Sequence, residues 1–217
     1  MPTTTTYDQL VSYLLWVFDH LDGDQKHWIG LAGAPGSGKS TTAQAMCQRL
    51  PEKVTAIPMD GYHYYRRQLD AMDHPQEAHA RRGAPFTFDA QRLVEELREA
   101  RHRGTGTFPS FDHNNGDPVE ADIELQHGKQ IVIVEGNYLL LDDPPWDRLR
   151  HDIFHETWFL DVPLDECRQR VEDRHVRTGL TRAAARQRIW SNDSPNAEQV
   201  NASGINANRL IRIESVA

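Results

Sequence analysis

A lysine and a serine side by side at the end of a glycine-rich run are the residues of this chain whose types and spacing most directly specify chemistry. Between Leu31 and Thr41 the sequence reads LAGAPGSGKST, in which Gly33, Gly38, Lys39 and Ser40 satisfy the pattern G-x-x-x-x-G-K-[ST]. Such glycines let the backbone curl so that successive N–H groups point inward, an arrangement that grips phosphate oxygens. The apolar run WIGLAG before the loop predicts a strand, and STTAQAMCQRL after it predicts a helix whose N-terminus adds partial positive charge. Gly33, Ala34, Pro35, Gly36, Ser37, Gly38, Lys39, Ser40 and Thr41 are therefore expected to cradle a triphosphate. Lys39 would reach its β- and γ-phosphates, and Ser40 would offer a hydroxyl to Mg²⁺.

Two acids stand where that loop needs partners. Asp60 follows the strand-like VTAIPM and Glu135 follows IVIV, and ligands of open α/β sheets gather at the carboxyl ends of strands. A carboxylate there can accept a proton from an attacking hydroxyl or hold the waters around Mg²⁺; acids at strand ends also cap turns and helices. Tyr62, His63 and Arg66 lie close enough in sequence to share a pocket with Asp60. Arg81 and Arg82 open RRGAPFTFD and suit either substrate contact or ion pairing. Seven arginines fall between 168 and 188, against only Glu172 and Asp173. Arg170, Arg174 and Arg177 are spaced i, i+4, i+7, so a helix there presents them on one face, either to solvent or to phosphates.

The elements that must position these residues alternate. Strand-like runs at 27–32, 53–59, 130–135, 156–162 and 208–214 are separated by helical patterns at 39–50, 89–103 and 164–177, which predicts a parallel sheet covered on both faces. Leu10, Leu14, Leu15 and Phe18 predict an amphipathic helix over 7–21 that packs as scaffold. The least regular stretch, 61–88, is rich in His, Tyr, Arg and Pro, and long irregular segments are often functional. At 217 residues and 38% hydrophobic content the chain suits a single domain spanning 1–217.

Composition narrows the function. A net charge of −8 argues against broad nucleic-acid binding, and no apolar stretch approaches the roughly 20 residues needed to cross a bilayer. MPTTTTYDQL lacks the pattern of a secretory signal. Cys47 and Cys167 are too far apart to suggest a disulfide framework or metal cluster. A cytoplasmic location is expected. The 11 histidines show no compact metal-ligand spacing. A regulatory nucleotide switch would also carry a phosphate loop, but no guanine-reading N-K-x-D segment is present.

Taken in order, GAPGSGKST, MDGYHY, RRGAPFTFDAQRL, PSFDHNNGD, IVIVEGNYLLL, FLDVPLDECRQRVEDRHVRTGLT and NDSPNAEQV resemble the P-loop kinases of the phosphoribulokinase, uridine kinase and pantothenate kinase group. The likeness is greatest to the short bacterial proteins described as nucleoside/nucleotide kinase-like or fructose-transport-system kinases. The resemblance implies a P-loop NTPase three-layer sandwich with a mainly parallel sheet and a helical lid over about 164–190. It implies ATP and Mg²⁺ as cofactors, Asp60 as catalytic base and Glu135 near the metal. Lid arginines Arg170 and Arg174 would lie near the phosphates, beside Lys39. Phe111 and His113 become substrate candidates, as do Asn192 and Asn196, alongside Tyr62, His63 and Arg82. Phe111 stands where uridine kinases carry a tyrosine, and the aromatic stretch of pantothenate kinases is missing, so the acceptor is left as a sugar, nucleoside or pantothenate-like hydroxyl compound. The partners expected are ATP and that acceptor, with a homodimer admitted and neither nucleic acid nor membrane among them.

Overall fold

Lys26–Ala32, buried from Trp28 onward, forms the strand (β2) that delivers the glycine loop. A computed structural model of the protein describes residues 2–112 and 115–214. Around β2 lie β6 (Gln130–Gly136) on one side and β7 (Glu156–Leu160) on the other. β3 (Val54–Pro58) pairs outside β6, β8 (Arg209–Ile213) outside β7, and β1 (Thr3–Thr5) outside β8. The order is β1-β8-β7-β2-β6-β3, and every pairing is parallel. Strands covered on both faces read as continuous apolar runs, which is why this sheet was legible.

The period of two along each strand divides the interior. Trp28, Val132 and Val134 face one layer, which contains α5 (Ala90–Arg103) with Leu93, Val94 and Leu97. Ile29, Leu31, Ile131 and Ile133 face the other, where Leu10, Leu14 and Val17 of α1 (Tyr7–Asp19) pack with Ala43 and Met46 of α2 (Lys39–Arg49). Each large side chain fully buried in these layers contributes about 1.5–3 kcal/mol. The result is the expected sandwich of helices, sheet and helices.

Short helices α3 (Arg66–Asp70) and α4 (Pro75–Ala80) occupy the irregular stretch. Beyond β7 come α6 (Leu164–Arg177), α7 (Arg182–Arg188) and α8 (Ser194–Ser203), with a π-helical turn over Ile189–Asp193 joining the last two. Among the described residues no helix is long and apolar enough to cross a membrane.

Two features depart from the sequence expectation. Thr3–Thr5, ahead of the first strand-like run read from the sequence, is the edge strand β1. β4 (Gly106–Asp112) and β5 (Asp117–Leu125) form a separate antiparallel ribbon. The ribbon lies directly on the 3-10 turn Met59–Tyr62 that follows β3: a Cβ placed on Gly61 would meet the Pro109 carbonyl oxygen at 2.2 Å. Glycine is required there by backbone approach. Gly61→Ala is expected to lose about 1–3 kcal/mol of stability, read by denaturant unfolding, and to lower turnover by displacing the turn.

Candidate functional site

The loop from Gly33 to Gly38 leaves the top of β2 and enters α2 in the manner expected. Gly36 has φ +86°, and a Cβ there would lie 2.5 Å from the Cys167 carbonyl oxygen, so the loop sits against the backbone of α6. Lys39 is 8% exposed and donates to the Ala34 carbonyl at 3.2 Å. Burial holds its ammonium below the ordinary lysine range, although the carboxylates of Glu135 and Asp60 pull the other way. Ser37 Oγ is buried without a hydrogen-bond partner, an unmet polar group inside the loop itself.

Register sets the depth of the acids. Leu31 is opposite Glu135, and Glu135 is opposite Pro58, so the first acid stands level with the mouth of the loop. Ser40 Oγ donates to Glu135 Oε1 at 2.9 Å. Burial pushes the Glu135 carboxyl up to about 7 against the pull of Lys39, with the charge of Asp60 adding to the rise.

Asp60 lies in the turn after β3 with its side chain 41% exposed. A 3-10 turn brings residues i and i+3 to the same side. His63 accordingly joins Asp60: its Nδ1 is 2.9 Å from the Asp60 carbonyl oxygen and 4.0 Å from Oδ1. Its ring packs on Phe88 at 3.9 Å and on Phe111 at 4.8 Å. The Arg82 guanidinium lies 5.8 Å from the Phe111 ring centre, and its Nη2 donates to the Tyr64 carbonyl and to Asp117 Oδ1 at 3.0 and 3.2 Å. Asp60 and His63, neighbours in one turn, thus form a contiguous string with Phe111 and Arg82 from distant parts of the sequence.

Tyr62 does not join it. The same turn geometry points Tyr62 the other way: it is 1% exposed, its hydroxyl donates to Glu96 Oε2 at 2.7 Å, and burial drives that hydroxyl far above the usual tyrosine range. Asn192 and Asn196 are also buried. Asn192 Nδ2 donates to the Arg82 carbonyl at 3.0 Å, and Asn196 Oδ1 accepts from Arg81 Nη2 at 3.1 Å. Both asparagines therefore brace the 81–82 segment, and their side chains are taken up within the protein. His113 lies outside the described residues.

A cavity of about 950 Å³ collects Gly36 to Thr42, Asp60, Glu135 and Asn137, with Arg170, Arg174 and Arg177 along its α6 wall. Arg170 Nη1 donates to the Gly36 carbonyl at 3.3 Å and pairs with Glu166. α6 is itself anchored in ways the sequence did not announce. His175 Nε2 lies 2.8 Å from Asp193 Oδ2, and Glu172 pairs with Arg182 and Arg186 at 2.7 and 3.2 Å. Partners 10 to 18 residues apart on different helices leave no fixed spacing to find.

A loop ending in a buried lysine, a serine bound to a strand-end acid and a second acid open to the same cavity can hold a nucleotide and present a hydroxyl to it. The model of the phosphoribulokinase/uridine kinase family matches residues 28–156, which contain the loop and both acids. The chain belongs to this family. Its similarity to individual members extends further: a candidate uridine kinase of Schizosaccharomyces pombe is 40% identical over 205 residues, covering 90% of this chain and 85% of that one. The crystal structure of a candidate fructose transport system kinase from Silicibacter sp. TM1040 is 34% identical with a TM-score of 0.77, covering 93% of this chain and 98% of that one. YFH7 from Saccharomyces cerevisiae, 20% identical, shares the fold with a TM-score of 0.81 over 97% of this chain and all of its own (100%). Family membership makes this an ATP-dependent P-loop kinase acting on small molecules.

Proposed function

We propose that the protein transfers the γ-phosphoryl group of ATP to a hydroxyl of a small metabolite, a sugar, nucleoside or pantothenate-like compound. The observation that carries this reading is the half-exposed carboxylate of Asp60 in the cavity of the glycine loop, continuous with the string His63, Phe111 and Arg82. An acceptor lying along that string brings its hydroxyl to Asp60, which takes the proton as the oxygen attacks. Phe111 offers a partly exposed ring for packing, His63 backs it, and Arg82 is already oriented by Asp117. Tyr62, Asn192 and Asn196 act from behind, as supports of the turn and of the 81–82 segment.

Lys39 neutralises charge between the β- and γ-phosphates, and the unmet Ser37 hydroxyl adds a donor. The residues also fit Mg²⁺. Ser40 Oγ and the Glu135 carboxylate already touch, and the ion needs only one or two protein oxygens beside phosphates and water. When bound, Mg²⁺ supplies charge neutralisation at the phosphate oxygens.

Arg170 and Arg174 serve the developing charge from the α6 wall, which acts as a lid. Arg174→Ala is expected to lower kcat about 10²-fold while ATP affinity changes much less, because the guanidinium engages charge that grows during transfer. Steady-state kinetics with separate ATP titration reads the split. A fall in melting temperature at unchanged kcat would make Arg174 a structural ion-pair residue.

The direct test is an ADP-release screen with ATP and Mg²⁺ across sugars, nucleosides and pantothenate. Acceptor-dependent turnover by one of them supports the reading. Slow hydrolysis that no acceptor accelerates would mark the protein as a nucleotide switch.

A further inference from the structure

The lining of the cavity extends beyond the glycine loop and the α6 wall. From the glycine loop it continues past Thr42 to Tyr7, Arg49, Arg212, Ile213 and Glu214, residues from the N-terminal helix, the far end of α2 and the last strand. Sequence reasoning gave α1 no part in the site. We infer that Tyr7 is the stacking face of a nucleobase subsite built by the N-terminal strand and helix against the end of β8.

Several contacts fix that ring in place before any ligand arrives. β1 runs parallel to β8 with Thr5 opposite Ile213, and the Glu214 N–H donates to the Thr5 carbonyl at 3.0 Å. Thr6 and Gln9 then form a reciprocal cap, Gln9 N–H to Thr6 Oγ1 at 3.2 Å and Thr6 N–H to Gln9 Oε1 at 3.0 Å. Tyr7 is the first residue of the helix so started. It is half-buried, its inner part packed against the α1–α2 core cluster. The Arg49 guanidinium lies 5.7 Å from the ring centre and is held by its ion pair with Asp8. An aromatic face fixed in this way costs little entropy on binding a flat ring, and stacking on an aromatic side chain tolerates any base. A triphosphate at Lys39 leaves the base to lie farther along the same cavity, and among the described residues Tyr7 is the one aromatic lining it.

The inference rests on the cavity taking ATP, and its test separates the two. Calorimetric titration compares ATP with inorganic tripolyphosphate on the parent, Tyr7→Ala and Tyr7→Phe proteins. Tyr7→Ala is expected to weaken ATP binding by about 5- to 100-fold and leave tripolyphosphate unchanged, with Tyr7→Phe close to the parent. Equal loss for both ligands, or no loss for either, would overturn the assignment of Tyr7 while leaving the phosphate loop intact. A parent protein that binds neither ligand would overturn the nucleotide site and the subsite together. Photolabelling of the unaltered protein with 8-azido-ATP gives a readout independent of how the variants fold. The label is expected on peptides containing Tyr7 or 209–214, and label confined to other peptides would refute the subsite.

Discussion

Asp60→Asn is expected to bind ATP as the parent does and to lose acceptor-dependent ADP release by about 10²- to 10⁴-fold, the usual worth of a general base. The substitution keeps the shape of the side chain in the turn after β3. Gly61 beneath the Pro109 carbonyl and His63 beside it should therefore stay in place. What disappears is the ability to take a proton from the acceptor hydroxyl. A carboxylate that merely supported the hydration of Mg²⁺ would give a different result, because a defect of occupancy is filled by raising the ion concentration. The measurement is ADP release at saturating ATP over a range of Mg²⁺, with ATP affinity taken separately. Recovery of full activity at high Mg²⁺ would remove Asp60 from the role of base.

Lys39→Ala should abolish turnover and triphosphate binding with little loss of fold. Removing a single preorganised donor from a reacting oxyanion costs about 10²- to 10³-fold, and here the same group also anchors the ground-state phosphates, so both kcat and affinity fall. The free protein gains little from this amine. Its ammonium is held below its ordinary range by burial, and among the described residues its hydrogen bond is to the loop carbonyl of Ala34. The diagnostic is thermal: ATP at 100 times its Kd should stabilise the parent by about 2.7 kcal/mol, and the same ATP should leave the variant's melting temperature where it was. Undiminished turnover by Lys39→Ala would overturn the phosphate-loop reading altogether.

The parallel sheet was readable because runs such as Ile131–Val134 are apolar on both faces, and the loop because no common structural need produces a lysine and serine after such spacing. The β4–β5 ribbon was not readable. Between Pro118 and Leu125 most of β5 is exposed, and its acids carry no apolar period. It is held by pairs to distant parts of the same chain, such as Glu120 with Tyr65 and Arg92 at 2.6 Å each. Proximity in sequence misled at Tyr62, where rotation of about 120° per residue in a 3-10 turn separates it from its neighbours Asp60 and His63. The braces formed by Asn192 and Asn196 and the Tyr7 wall depend on contacts across more than 100 residues, which no local pattern reports.

The aligned rungs of β2, β6 and β3, with Leu31, Glu135 and Pro58 at one height, divide the chain into parts that can change length and parts that cannot. One residue added inside β6 ahead of Glu135 turns that carboxylate to the opposite face of the sheet and takes it from Ser40. One residue added in the connections at 51–53 or 126–129, which lie ahead of the strands, leaves every rung where it was. The candidate site is thus insulated from drift in these two connections at one rim of the sheet. At the other rim, an edit between Ala32 and Lys39 or between Pro58 and Asp60 would displace the loop lysine or the acid of the turn, so those two connections are far less tolerant of a change in length.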